Sequence, residues 1–330
     1  MKHLPTRYLL SVGAALLLAL LTTTRTGAAD EAPDFPIGLF SDGKTYNLSD
    51  YRGKVVVLFF YESECPRCKG EIPKRNEVVK DFEGKPVKFL AIGASDSIES
   101  VVGYGRETRL QMPIFADNLG LMEARYGQKI SLQNIWQIRV IGPDGQIVGH
   151  EMDKPTIEKA LAKAAWKYDP KDYDPKLKVA LDAFEWSQWD AGMKLLTPLR
   201  RNGTKAVADS ANKLFNVLKT EAEGWKTEAD GLAASEPVKA YDLYTKVAAY
   251  FPTDGFAKGT ATAKQKLATN KVVAAELAAR RAYAQLIKGI ATASPGQKAV
   301  VLQQSKAFLK KFDGTPTGDK VAALVKDLEK

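Results

Sequence analysis

The sequence is short of the side chains that most enzymes use. It has only two histidines in 330 residues, and His3 lies at the very start of the chain. Cysteine occurs twice as well, which excludes a web of structural disulfides and any four-cysteine zinc site. No glycine-rich phosphate loop is present. The longest apolar run, Leu9 to Leu21, falls short of the roughly 18 residues expected of a membrane span. Lysines and acids are interleaved without like-charge blocks, which argues against a nucleic-acid surface despite the net charge of +9. A hydrophobic content of 45% with 26% charged residues describes a soluble globular chain, and 330 residues exceed one ordinary core. Two domains are therefore expected.

Residues 1–29 stand apart. Lys2 and Arg7 precede the apolar run, and Gly27-Ala28-Ala29 follows it, the pattern of a secretory signal peptide. An exported protein, periplasmic or secreted, is the expectation, or a membrane-anchored one if the segment is not cleaved. The remaining charge is uneven: residues 30–173 are net −2, and residues 174–330, with 25 basic and 17 acidic side chains, are net +8. A solvated lysine-rich helical surface accounts for that excess more simply than an acidic partner does.

What is present is one short constellation. Cys65 and Cys68 are three residues apart in Ser63-Glu64-Cys65-Pro66-Arg67-Cys68-Lys69-Gly70-Glu71-Ile72-Pro73. A structural bridge there would close almost no loop, so it would do little for stability. Ahead of it, Val55-Val56-Val57-Leu58-Phe59-Phe60-Tyr61 reads as a buried strand; behind it, a helix starts near Pro66, where a missing N–H costs little, and runs through Pro73. A dithiol at a strand-to-helix turn is a redox site. Cys65 would sit at the helix N-terminus, where free N–H groups and the dipole favour an anion. Arg67 would favour the thiolate and Glu64 oppose it. Glu71, one helical turn past Cys68, can face the pair.

Around this core the pattern predicts a strand at 87–93, a helix after Ser95-Asp96-Ser97, a short strand after Pro113, a short helix at 121–126, and strands at 136–141 and 146–150. The last two flank the Gly142-Pro143-Asp144-Gly145 turn, and a helix capped by Thr156 closes the domain near Tyr168. This is an α/β sandwich around a central sheet.

The runs Ala32-Pro33-Asp34-Phe35, Leu48-Ser49-Asp50-Tyr51-Arg52-Gly53-Lys54 and Cys65-Pro66-Arg67-Cys68 with Glu71 and Pro73 resemble the redoxin (AhpC/TSA) branch of the thioredoxin superfamily, in particular its exported thiol–disulfide oxidoreductases of the TlpA/ResA type. The resemblance covers residues 32–168. It implies a thioredoxin-like sandwich with a central mixed sheet, Cys65 as exposed attacking thiolate, Cys68 as buried resolving thiol, and Glu71 as the acid that tunes them. It implies no cofactor beyond the redox-active cysteine pair. Partners would be protein thiols or disulfides and an electron donor such as a membrane or periplasmic thiol reductase. Two positions depart from the family. Glu64 replaces the aromatic residue before the first cysteine, and Trp136, after Ile135, stands where the family keeps a cis-proline in the substrate-facing loop. A peroxidase would want Thr or Ser at Glu62. A copper carrier would add a histidine to the thiolates, and beyond His3 only His150 is available.

After a linker at 169–175 the chain turns to Ala, Lys and Leu with helical periodicity, predicting an all-α domain over 176–330. Its helices are expected at 176–187, 189–201, 204–233, 236–250, 254–292, 295–311 and 318–329. Residues 244–252 and 305–312 echo each other and weakly resemble tetratricopeptide hairpins. Trp186, Trp189, Trp225 and Tyr241 could line a peptide groove, although at helical spacing core packing is the commoner use. This half would bind or position a partner. A scaffold protein with a vestigial redox fold remains the rival reading.

Overall fold

The structure is a computed structural model and describes residues 31–130, 134 and 136–330. The expected signal peptide and Ile135 lie outside the described residues. Five strands form one sheet in the order β3-β2-β1-β4-β5: β1 (Val55–Tyr61), β2 (Val87–Ala94), β3 (Ile114–Asp117), β4 (Trp136–Ile141) and β5 (Ile147–Gly149). β1 pairs parallel with β2 and antiparallel with β4, and β2 pairs parallel with β3. β5 returns antiparallel to β4 through the Gly142–Gly145 turn. Its last residue has φ +83, a conformation that favours glycine.

Every residue of β1 is buried, as expected of a central strand covered on both faces. Its alternation builds two cores. Val55, Val57, Phe59 and Tyr61 join one with Phe89, Ala91 and Ile138; Val56, Leu58 and Phe60 join the other with Leu90, Ile92 and Phe40. Helices α1 (Pro66–Asp81), α2 (Ile98–Thr108) and α4 (Lys154–Leu161) contribute to the first, and α3 (Leu121–Arg125) contributes Met122 to the second. α4 is shorter than predicted and begins one turn's capping residue earlier: the cap is the Asp153 carboxylate, which accepts the Thr156 N–H, rather than Thr156 itself.

The rest of the chain is helical: α5 (Lys178–Glu185), α6 (Trp189–Asn202), α7 (Lys205–Leu232), α8 (Pro237–Tyr250), α9 (Thr260–Ala268), α10 (Lys271–Ala291), α11 (Lys298–Phe312) and α12 (Pro316–Leu328). The single helix predicted over 254–292 is two. Gly259, at φ +82, starts the first, and the Asn270 side chain caps the second by accepting the Val272 N–H. Lengths from 8 to 28 residues give no fixed repeat period. Trp189 meets Trp225 edge to face at 4.6 Å and stacks on Tyr250 at 5.5 Å, so these rings serve interhelical packing.

The helical half is clamped onto the second core. Trp186 packs edge-on to Tyr51 at 5.7 Å. Lys54 and Glu185 form an ion pair at 3.0 Å with side chains 8% and 1% exposed, and the same carboxylate accepts the backbone N–H groups of Lys167 and Tyr168. Asn118 donates to the carbonyls of Ile290 and Ala293, both at 2.6 Å. Arg125 bonds Asp327 at 2.6 Å and the Asp34 carbonyl. The core that holds the two cysteines takes no buried member beyond Ala160, so the helical half backs the sheet on the side away from them.

Candidate active site

β1 delivers the chain to the top of the sheet, and the turn Glu62–Glu64 leads to Cys65, the N-cap of α1. Pro66 follows at the first helical position, so the first turn lacks one N–H that would in any case be unpaired. Cys65 Sγ accepts the Cys68 backbone N–H at 3.4 Å, the bond an N-cap oxygen would otherwise make. No disulfide joins the two cysteines in this structure.

Cys65 is 2% exposed and Cys68 fully buried, which corrects the expectation of an exposed attacking thiol. The physical reason is that Sγ turns onto the end of α1, and Cys65 joins the apolar core that also holds Ile72 and Tyr61, with the partly buried Trp136 packed against that core. Burial pushes the Cys68 thiol up to about 12, helped by its contact with the Cys65 sulfur and opposed by a hydrogen bond from the Glu62 backbone. Resolution by Cys68 therefore needs somewhere for its proton to go.

Glu71 lies on α1 one turn beyond Cys68 and is paired with Arg75 at 3.2 Å. The Arg75 side chain is buried over the rings of Phe59, at 5.6 Å, and Trp136, at 5.9 Å. Glu64 and Arg67 are exposed. Glu64, with Glu62, adds to the burial that pushes the Asp96 carboxyl upward. Trp136 pairs across the sheet with Tyr61, which pairs in turn with Gly93. His150 is exposed and lines a groove of about 430 Å³ with Lys74, Arg75 and Trp136. Among the described residues no group of three or more His, Cys, Asp or Glu side chains is arranged to hold a metal.

Sequence reasoning missed what lies under the dithiol. Tyr61 stacks on Tyr104 of α2 at 4.3 Å, and both hydroxyls are buried without a partner. Asp96 accepts a hydrogen bond from the Ser63 hydroxyl at 2.7 Å through one oxygen, while the other has no partner. Its one sequence signal was its place in Ser95-Asp96-Ser97. Ser97 alone caps α2, accepting the Ser100 N–H, which leaves Asp96 without that structural use.

A reduced cysteine pair at the N-terminus of the helix that follows the central strand of a mixed five-stranded sheet defines a thioredoxin-like redox domain. The sequence profile of the AhpC/TSA family matches residues 28–150. Two relatives named thiol–disulfide oxidoreductase ResA align over most of their own length. The one from Bacillus thuringiensis subsp. konkukian is 30% identical over 40% of this chain and 76% of its own. The one from Geobacillus kaustophilus is 31% identical over 42% and 78%. The chain belongs to this thioredoxin-like family and is a thiol–disulfide oxidoreductase by class. Among solved structures, a thioredoxin-family thiol:disulfide interchange protein from Chlorobium tepidum is similar at 21% identity and a TM-score of 0.34, over 41% of this chain and 97% of its own.

Proposed function

We propose that this chain is an exported oxidoreductase that exchanges disulfides with partner proteins through Cys65 and Cys68, with no cofactor besides that pair. Cys65 attacks a partner disulfide; Cys68 then attacks the mixed disulfide, releases the partner as a thiol and leaves a Cys65–Cys68 bridge for a membrane or periplasmic thiol reductase to reopen. The observation that carries this reading is the Cys65 sulfur at the cap of α1, bonded to the Cys68 N–H at 3.4 Å. Glu71, held by Arg75, sets the charge on the helix face beside the pair. Trp136, on the strand beside the dithiol, shapes the side that meets the partner. The helical half steadies the sheet and presents partners. The leader pattern at residues 1–29 supports export; among the described residues no helix is long and apolar enough to cross a membrane.

The test is a Cys68→Ala variant expressed in cells with the full leader. Mixed disulfides with partner proteins should accumulate through Cys65 and vanish on reduction. A Cys68→Ala protein that traps nothing, while remaining folded and exported, would refute the reading.

A further inference from the structure

The sheet is closed on one edge and open on the other. Beyond β3 the segment around Phe40 runs alongside: the Ala116 N–H donates to the Leu39 carbonyl, and the Ile114 carbonyl accepts the Ser41 N–H at 2.7 Å. Beyond β4 stands only β5, whose pairing ends with Gly149 opposite Val140. The half of β4 nearer the dithiol, Trp136 to Arg139, therefore has no strand on its outer side among the described residues. The groove that His150 lines lies against this open stretch. It is bounded by Lys74 and Arg75 of α1, by Trp136 to Ile138 of β4, and by the chain from His150 to Asp153.

Arg75 is 7% exposed, and a guanidinium at that depth needs anions for its donors. It has one, the Glu71 carboxylate, at 3.2 Å from Nη2. Nε is shut away from water with no acceptor, and the guanidinium lies over the rings of Phe59 and Trp136 rather than against polar groups. An arginine held between two rings and paired on one side only is ready for a second carboxylate. Lys74 and His150 are exposed on the rim, and neither is in an ion pair among the described residues. The acids of the groove are Glu151, exposed beside His150, and Asp153, whose carboxylate already accepts the Thr156 N–H at 2.9 Å.

We propose that this groove seats an extended acidic segment of the partner protein, which adds along the open edge of β4 and sets an aspartate or glutamate against Arg75. The inference rests on the exchange reading above and gives that reading a substrate class. Strand addition supplies main-chain hydrogen bonds, and the arginine supplies the choice among partners.

The spacing suits the task. Arg75 follows Cys68 by two turns of α1, about 10 Å of helix. An extended chain covers that distance in about three residues. The acid recognised by Arg75 would thus lie about three residues from the partner cysteine under attack. Arg75 selects the partner and takes no part in the sulfur chemistry. An arginine that served the fold alone would be indifferent to the partner's charge.

The experiment uses full-length reduced protein and synthetic peptides whose single cysteine is carried as a mixed disulfide with 5-thio-2-nitrobenzoate. The Cys65 thiolate attacks the peptide sulfur and forms a Cys65–peptide disulfide. The bond to the aryl sulfur breaks, and its electron pair leaves as coloured nitrothiolate, so stopped-flow absorbance reads the rate. The peptides differ only at the third residue on either side of the cysteine, which is Glu or Gln. The Glu peptide should react about tenfold faster than the Gln peptide. Arg75→Gln should bring that ratio close to one. If this variant does not fold, Lys74→Glu combined with His150→Glu, at two exposed positions, carries the test and should lower the ratio about threefold. N-methylation of successive amides in the Glu peptide should slow the reaction at alternate positions, since an added strand bonds every second residue. Equal rates for the two peptides, a ratio that survives the substitutions, or N-methylation without effect at every position overturns the proposal. A Gln peptide that releases no nitrothiolate at all would instead overturn the exchange reading, and this inference with it.

Discussion

The two faces of the sheet treat buried polar groups in opposite ways. On the face away from the cysteines, Lys54 meets Glu185, whose carboxylate also takes two backbone donors, and Asn118 spends its amide on two carbonyls. On the cysteine face, Tyr61, Tyr104, Asp96 and Arg75 all keep a buried polar atom idle. The first face is built for cohesion, and these polar groups are there to be satisfied. The second face holds groups whose charge or proton must be able to change, and full satisfaction would freeze them. Fold and chemistry are thus separated by the thickness of one sheet.

That contrast can be broken most sharply at the dithiol. Cys65→Ser should abolish exchange outright while leaving the urea midpoint close to that of the parent; a large drop in midpoint would mean that the thiol is part of the cohesive face after all. On the opposite face the balance should invert. Glu185→Ala leaves the buried Lys54 ammonium without its anion and two backbone donors without their acceptor, and should cost about 3–5 kcal/mol in urea unfolding. The dithiol chemistry of that variant, measured on its folded fraction, should be unchanged.

The next effect in size is a pH dependence. Asp96 and Asp117 are both raised to about 6 from an ordinary value of 3.8 by burial. Between those values the folded state holds protons that the unfolded chain has lost, so stability falls as pH rises from 4 to 6 and levels off above. Each group accounts for up to roughly 2–3 kcal/mol of that fall. Asp96→Asn should remove about half of it, seen as a flatter plot of unfolding free energy against pH. If the plot keeps its slope, Asp96 is not the strained group. Smallest of all should be Tyr104→Phe. Deleting a hydroxyl that has no partner removes a desolvation cost and leaves the stacked ring, so stability should stay within about 1 kcal/mol or rise slightly. A clear loss would point to a hidden bond on the cysteine face.

Much of this was readable along the chain. The unbroken apolar run at 55–61 could only be a doubly covered strand, Pro66 fitted a first helical turn, and the Gly142–Gly145 turn announced the β4–β5 hairpin. These features are local, and local periodicity and turn chemistry encode them. The inward set of Cys65 was not local: it depends on which groups gather around the helix end. Nor was the pairing of Lys54 with Glu185, more than a hundred residues later, since a lysine leading into a strand looks the same whether water or a distant carboxylate meets it. Asp96 hid among three residues of equal capping ability, and only the bonds each one makes separate them. The break at Asn270 was overlooked because the alanine-rich run on either side has good helix propensity throughout.

The buried lysine at the foot of β1 has one more consequence. A chain cut after residue 168 would leave Lys54 facing an open apolar surface, and the Lys167 and Tyr168 amides would lose the carboxylate that receives them. The redox fold would then open to water the Tyr51 ring that Trp186 covers. The two halves should therefore unfold together, in one calorimetric transition, because the helices cover the face of the sheet that the strands leave open.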